Sequence, residues 1–345
     1  MALRRIGNGS LQAFPAAIPE RRTRLNGDRV SDTDLEEDIK TRVAWLYYME
    51  SMTQDQVAQE LGLTRSRVLR MLAASRQDGT VQIRVTSKLS RCVELERALE
   101  DRFGMERVIV IPRPKDDAAT PELIGAMLGA YIDDNLTNNL SIGLGWGKTL
   151  SSGLPTISQP SASGLSVVSL LGGLTKVSAF NPSEFAWRFA DRLAAECYLM
   201  AAPVFAPNAA TREALMSHPG IQEVFRRATQ LDMAIVSVGD LSPNSTFARY
   251  GLLERSELIS LEQAGAVGDV LCRFINANGE VIDHQINDRV IAVDPRDLRS
   301  ARRLVLASGG WHKYTAILAA IKLLRPQILI TDELVADRLA DARLN

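Results

Sequence analysis

The sequence predicts an α/β protein in which a small N-terminal winged helix-turn-helix domain precedes a larger domain on a mostly parallel sheet. Three observations carry that reading. The run from Thr53 to Leu72 has two short helical patterns with capping residues and a glycine between them. Beyond Gly104, short apolar runs alternate with helical segments over roughly 240 residues, the pattern of strand–helix–strand units. The length of 345 residues is right for two domains.

Residues 1–35 are polar and rich in Gly, Pro, Asn, Asp and Arg, without a sustained period, and read as a flexible extension. Domain boundaries are expected at 36–90 for the winged helix-turn-helix, 91–104 for a linking helix and 105–345 for the α/β domain. Ile39, Val43, Leu46, Tyr47 and Met49 recur at helical spacing behind an acidic first turn, Glu36-Glu37-Asp38, which suits the positive end of a helix dipole. Thr53 is placed to cap the next helix, with Gln56 completing a capping box and Val57 and Leu61 facing inward. Ala58 is small where two helices cross, and Gly62 sits at the turn. Thr64 caps a second helix whose Val68, Leu69 and Leu72 are expected to pack inward. The alternation Val81-Gln82-Ile83-Arg84-Val85 reads as a strand, a candidate wing. A helix over 91–104 carries the stripe Leu95-Leu99-Phe103, expected to link the domains and help pair subunits, and stops at Gly104.

In the α/β part, strands are expected at Arg107–Ile111, Ser141–Leu144, Leu165–Leu170, Ala234–Val238, Val270–Ile275, Leu304–Ala307 and Ile328–Thr331. Helices are expected at 121–137, 183–196, 211–229, 256–264 and 314–324.

Composition narrows the chemistry. Apolar residues make up 46% and charged residues 23%, an ordinary globular balance. Cys92, Cys197 and Cys272 are far apart and form no CxxC pair, and the histidines (His218, His284, His312) stand alone, so no disulfide framework, metal or cofactor is expected. No apolar run reaches the ~18 residues of a membrane span, and no apolar core follows Arg4 and Arg5 before Pro15 and Pro19, so a cytoplasmic protein is expected. Net charge is −1, but residues 42–91 hold eight basic residues against four acidic ones. That local +4 leaves −5 elsewhere, the segregation a nucleic-acid reader needs.

Arg65, Ser66, Arg67 and Arg70 fall in the first turns of the second helix, where base edges are reached in the major groove. Thr53 and Gln54 open the preceding helix and suit a phosphate contact. Operator DNA is therefore an expected partner. Because one module reads one half-site, a homo-oligomer, dimer or tetramer, is expected as well.

The stretch Val43-Ala-Trp-Leu-Tyr-Tyr-Met-Glu-Ser-Met-Thr-Gln-Asp-Gln-Val-Ala58 and the helix after it resemble the N-terminal domain of the SorC family of bacterial sugar-responsive transcription regulators. The resemblance extends over about 40–340 through Gly143-Leu-Gly-Trp-Gly-Lys-Thr149, Leu171-Gly-Gly173, Gly265-Ala-Val-Gly-Asp269, Ser308-Gly-Gly-Trp-His-Lys313 and Ile328-Leu-Ile-Thr-Asp332. It implies a Rossmann-like effector domain similar to phosphosugar isomerases, a sugar, polyol or phosphosugar effector, and tetramers. It also implies that Lys313 contacts the sugar or its phosphate and that Asp269 accepts from sugar hydroxyls.

Gly143–Thr149 follows a strand and opens a helix, so Gly145, Trp146, Gly147, Lys148 and Thr149 are candidate effector contacts: glycines admit the ligand, and Lys148 and Thr149 add charge and a hydroxyl. It is not a P-loop, because three residues rather than four separate its first glycine from Gly-Lys-Thr. Gly173 and Asp240, at strand ends, complete the candidates. A phosphosugar isomerase-like enzyme with a DNA-binding appendage is the rival reading. It lacks a compact acid–base–histidine constellation in the sequence.

Overall fold

The computed structural model describes residues 32–81, 90–175 and 181–342. It divides into two compact units, the first ending at Arg84 and the second beginning at Val85.

The first unit contains α1 (Asp32–Tyr48), α2 (Gln54–Leu61) and α3 (Arg65–Gln77). Its small core is Val43, Leu46, Val57, Ala58, Leu61, Val68, Met71 and Leu72. The capping box at α2 is complete: the Gln56 N–H donates to Thr53 Oγ1, and the Thr53 N–H donates to Gln56 Oε1 at 2.8 Å. Gly62 closes α2 in the left-handed region at φ 64°, where a side chain would be strained. Thr64 caps α3 by accepting from the Arg67 N–H. One expectation fails here. Leu69 is 46% exposed, and Met71 takes the inward place. Positions 68, 71, 72 and 75 lie at i, i+3, i+4 and i+7, and 69 falls off that stripe. The expected wing strand lies outside the described residues from Gln82 onward.

The second unit runs α4 (Ser90–Phe103), β1 (Arg107–Ile111), α5 (Thr120–Asn135), β2 (Ser141–Leu144), α6 (Lys148–Ser152), β3 (Ser166–Ser169), α7 (Pro182–Arg192) and β4 (Glu196–Tyr198). It continues with α8 (Ala209–Met216), α9 (Pro219–Ala228), β5 (Met233–Val236), β6 (Val238–Gly239), α10 (Thr246–Arg249), α11 (Arg255–Gln263), β7 (Ala266–Val270) and β8 (Arg273–Asn276). The last elements are β9 (Arg303–Ala307), α12 (Tyr314–Leu324), β10 (Ile328–Asp332) and α13 (Glu333–Ala340).

Seven strands form one parallel sheet in the order β1-β10-β9-β5-β2-β3-β4. Both faces are covered, so the strands read as continuous apolar runs such as Ile328-Leu-Ile330. From β2 the chain moves outward to β3 and β4, then crosses back to β5 on the other side. That reversal opens a crevice at the strands' carboxyl ends.

Three departures from the sequence reading matter. The expected strand Val270–Ile275 is a tight antiparallel hairpin of β7 and β8, turning at Leu271 (φ 53°) and Cys272 (φ 62°). Two consecutive left-handed residues are what a two-residue hairpin loop requires, but neither is the Asn or Gly that would announce it. The expected helix 211–229 breaks into α8 and α9, because Pro219 holds His218 out of the helical region and takes the first helical position itself. Leu95 and Leu99 of α4 are buried among Val108, Val110, Val335 and Leu339 of the same unit. The stripe expected to pair subunits is thus occupied within its own unit. α4 also closes the sheet edge: Glu100 and Glu96 accept from the Val108 and Val110 N–H groups of edge strand β1, each at 2.9 Å.

Candidate functional site

A cavity of about 660 Å³ lies in the crevice at the sheet's carboxyl ends. Segments following five strands line it: Arg113 after β1, Trp146–Thr149 after β2, Ser237–Asp240 after β5, Gly309–Lys313 after β9 and Asp332 at the end of β10. Asn244–Phe247, Arg249, Tyr250 and Asp269 also line it, as do Asp117 and Thr120.

At its base Lys313 lies in the electrostatic field of two buried carboxylates, Asp240 and Asp269. The Lys313 Nζ donates to the Val238 carbonyl at 3.0 Å. Burial pulls its ammonium below the usual lysine range, while Asp240 and Asp269 oppose that fall. Asp240 is buried and accepts from the Ser242 N–H through Oδ2 at 3.2 Å. Asp269, 3% exposed, accepts from the main-chain N–H groups of Cys272 (2.8 Å) and Gly239. Burial pushes Asp269 up to about 7, and the neighbouring Asp240 adds to the rise. The backbone forces the carboxylate into this place. β6 pairs with β7 so that Gly239 faces Asp269, where a Cβ would collide with the carboxylate. Asp269 thereby also braces the strained Leu271–Cys272 turn.

The β9 loop needs glycines for a comparable reason. A Cβ at Gly309 would sit 2.4 Å from Asp332 Oδ2 and from Ile124 Cδ1, and Gly310 stands at φ 95°. Asp332 accepts from the Gly310 N–H at 2.6 Å and caps α13 through the Leu334 and Val335 N–H groups. The sequence signal for Asp332 was an acidic residue between an apolar strand and a helical run, an N-cap pattern. Trp146 is buried edge-on against Phe247, with ring centroids 6.3 Å apart, and forms an apolar wall.

Of the expected effector contacts, the structure brings Trp146, Gly147, Lys148, Thr149, Asp240, Asp269 and Lys313 to this one cavity. Two fall elsewhere. Gly145 lies behind the wall, donating to the Ile235 carbonyl, and its missing Cβ is what lets β2 approach β5. Gly173 is held between Ala202 and Val204 by main-chain hydrogen bonds, with Ser183 too close to allow a Cβ, and does not line the cavity. The cradle at 147–149 is also less cationic than its sequence suggests. α6 is little more than one turn, and Lys148 is paired with Glu122 at 2.8 Å. Arg113, Arg249, Tyr250 and His312 join the lining without having been singled out by the sequence reading.

In the first unit, Arg65, Ser66 and Arg70 are exposed on α3, and Thr53 and Gln54 stand at the start of α2. Arg65 pairs loosely with Asp55 and Arg67 with Glu36, both at 3.6 Å between exposed side chains, geometry that holds little energy in water. Lys40, buried on α1, donates to Glu37 and Asp78 and ties α1 to the C-terminal end of α3. That bond and those from Thr80 hold the Asp78 carboxyl down at about 2, against the opposing cost of burial.

No group of His, Cys, Asp and Glu among the described residues could hold a metal, and no described helix is long and apolar enough to cross a membrane. Residues 87–340 match the family model of a sugar-binding domain (Sugar-bind). The erythritol catabolism regulatory protein EryD of Brucella abortus is 32% identical over 308 residues, covering 89% of this chain and 97% of that protein. The deoxyribonucleoside regulator of Bacillus subtilis is 28% identical, over 88% of this chain and 97% of its own length. The crystal structure of the full-length sorbitol operon regulator SorC from Klebsiella pneumoniae superposes with a TM-score of 0.66 at 27% identity, covering 88% of this chain and 99% of that one. With a winged-helix candidate ahead of such a domain and relatives matched along almost their whole length, the chain belongs to the SorC family of sugar-responsive transcriptional regulators.

Proposed function

We propose that this regulator reads operator DNA with α2 and α3 and is switched by a small polyol, sugar or its phosphate bound in the cavity of the second unit. The observation that carries the effector reading is the base of that cavity, where buried Lys313 lies within electrostatic reach of two buried carboxylates, Asp240 and Asp269. Carboxylates accept from vicinal hydroxyls and an ammonium donates to them, so this set fits a polyhydroxyl ligand. Lys148 pairs with Glu122 and Arg113 with Asp117, which leaves Arg249 and Lys313 as the lining cations without an ion-pair partner within 4 Å among the described residues. The relatives' names fit that class: an erythritol catabolism regulatory protein, a deoxyribonucleoside regulator and a sorbitol operon regulator.

The site binds without turnover on this reading. The protein is proposed to be cytoplasmic and to act as a dimer or tetramer, since paired half-sites need paired readers. An effector must favour one arrangement of those readers over another. The domain scheme follows: a DNA-binding part to about residue 90, α4 seated on the effector domain, and the effector domain to the C-terminus.

The test is a thermal-shift series with matched free and phosphorylated polyols and sugars, erythritol and sorbitol first. Ligand at ~100 times its dissociation constant adds about 2.7 kcal/mol, a shift of several degrees. A shift that Asp240→Asn abolishes is the expected result. No shift with any member would sink the effector reading.

A further inference from the structure

The outward face of α3 carries one large apolar side chain that the core does not use. Val68, Met71 and Leu72 are buried, whereas Leu69 is 46% exposed. At about 100° per residue, Leu69 lies about 40° around the helix from Arg65, 60° from Ser66 and 100° from Arg70. Arg67 lies about 160° from it, on the flank that meets Glu36 of α1. Arg65, Ser66, Leu69, Arg70 and Arg76 are all exposed, so the charged residues that α3 itself places around the leucine are cations, with Asp55 of α2 beside Arg65 alone.

We infer that Leu69 is a base-reading residue whose partner is the 5-methyl group of a thymine in the major groove. The inference rests on the proposed DNA-binding role of α3 and specifies what that helix reads. Charge fixes the occupant: a face bordered by Arg65, Arg70 and Arg76 favours a polyanion. Within the major groove of a polyanionic duplex, the thymine methyl is the apolar group offered at a base edge. An exposed leucine costs solubility and gives α3 no stability, and a methyl contact is what removes it from water. Ser66, one turn earlier, supplies a hydroxyl to either a donor or an acceptor beside that methyl. Specificity at this position is therefore steric and apolar, while the arginines supply guanine contacts and attraction to the backbone.

The test uses the full-length protein and duplexes it enriches from a random DNA pool. Each thymine of the enriched site is replaced in turn by deoxyuridine, which removes the methyl group and leaves every hydrogen-bonding edge intact. The expected result is at least one thymine per half-site where deoxyuridine weakens wild-type binding about fourfold, the gain from burying one methyl-sized group. At that position Leu69→Ala binds the two duplexes equally. Because the comparison is a difference within each protein, a uniform loss of affinity in the variant does not disturb it. The inference is overturned if no thymine is sensitive in the wild type, or if the penalty persists in Leu69→Ala. Failure to enrich any sequence would overturn it together with the DNA-binding reading, and is distinct from enrichment without methyl dependence.

Discussion

Removing the Lys313 ammonium while keeping its bulk, as in Lys313→Met, is expected to destabilise the second unit in a pH-dependent way. Lys313 is the cation that offsets two buried carboxylates, Asp240 and Asp269. Stripping one partner from a buried ionic cluster costs about 3–5 kcal/mol when the remaining charges stay ionised. Asp269 has an alternative, because it titrates at about 7 rather than at 3.8. A carboxyl raised on folding makes the folded state bind more protons than the unfolded one. In the wild type its contribution therefore falls as pH rises from about 4 to about 7 and is level above that. In Lys313→Met the same carboxyl titrates higher, so the decline continues past pH 7 by about 1.4 kcal/mol per unit. The variant should lie within about 1 kcal/mol of wild type at pH 6 and up to about 3 kcal/mol below it at pH 8.5. Urea unfolding followed by tryptophan fluorescence at both pH values measures the difference. An equal loss at pH 6 and 8.5 would refute the reasoning, since it would show that no carboxyl near Lys313 takes up a proton in its place.

Two further outcomes follow from the same geometry. Arg70→Ala, which alters an exposed cation with no partner among the described residues, should relax base preference at one position, while Gln54→Ala should weaken all duplexes alike in a gel-shift titration against specific and scrambled DNA. Leu99→Ala opens a cavity between α4 and β1 and should cost about 2–5 kcal/mol in chemical denaturation, with the oligomeric state by sedimentation unchanged because its stripe faces its own unit.

The legible parts of the chain were those fixed by local rules. Thr53, Gln56, Gly62 and Thr64 set the ends of α2 and α3 through hydrogen bonds within a few residues, and each is where the sequence puts it. Strands such as Ile328–Asp332 are written as apolar runs because both faces of the sheet are covered. Asp240 was legible from its place at a strand end, and Lys313 and Asp269 from the resemblance to the SorC family. Their arrangement was not. It depends on a hairpin turned by leucine and cysteine, which nothing in local propensity announces, and on a β6–β7 pairing between residues thirty positions apart. The outward placement of Leu69 was a matter of helical phase, and counting from Val68 alone could not fix it. The Glu122 that neutralises Lys148 comes from a different helix, and that partnership has no sequence signature.

The strand order has a consequence for how the molecule is made. Among the described strands of the second unit, β1 is the first to be synthesised, and its one neighbour in the sheet is β10, the last: Arg107 pairs with Ile328 and Ile111 with Asp332. A nascent chain thus holds an apolar strand for more than two hundred residues of translation before its partner emerges. Until then only α4 is at hand, with Glu96 and Glu100 occupying the Val110 and Val108 N–H groups. Contacts of such long range are formed late and at high entropic cost. The unit therefore closes as a ring of sequence, head to tail. A ribosome that stalls before Ile328 releases a sheet without its β10 strand rather than a slightly shortened regulator.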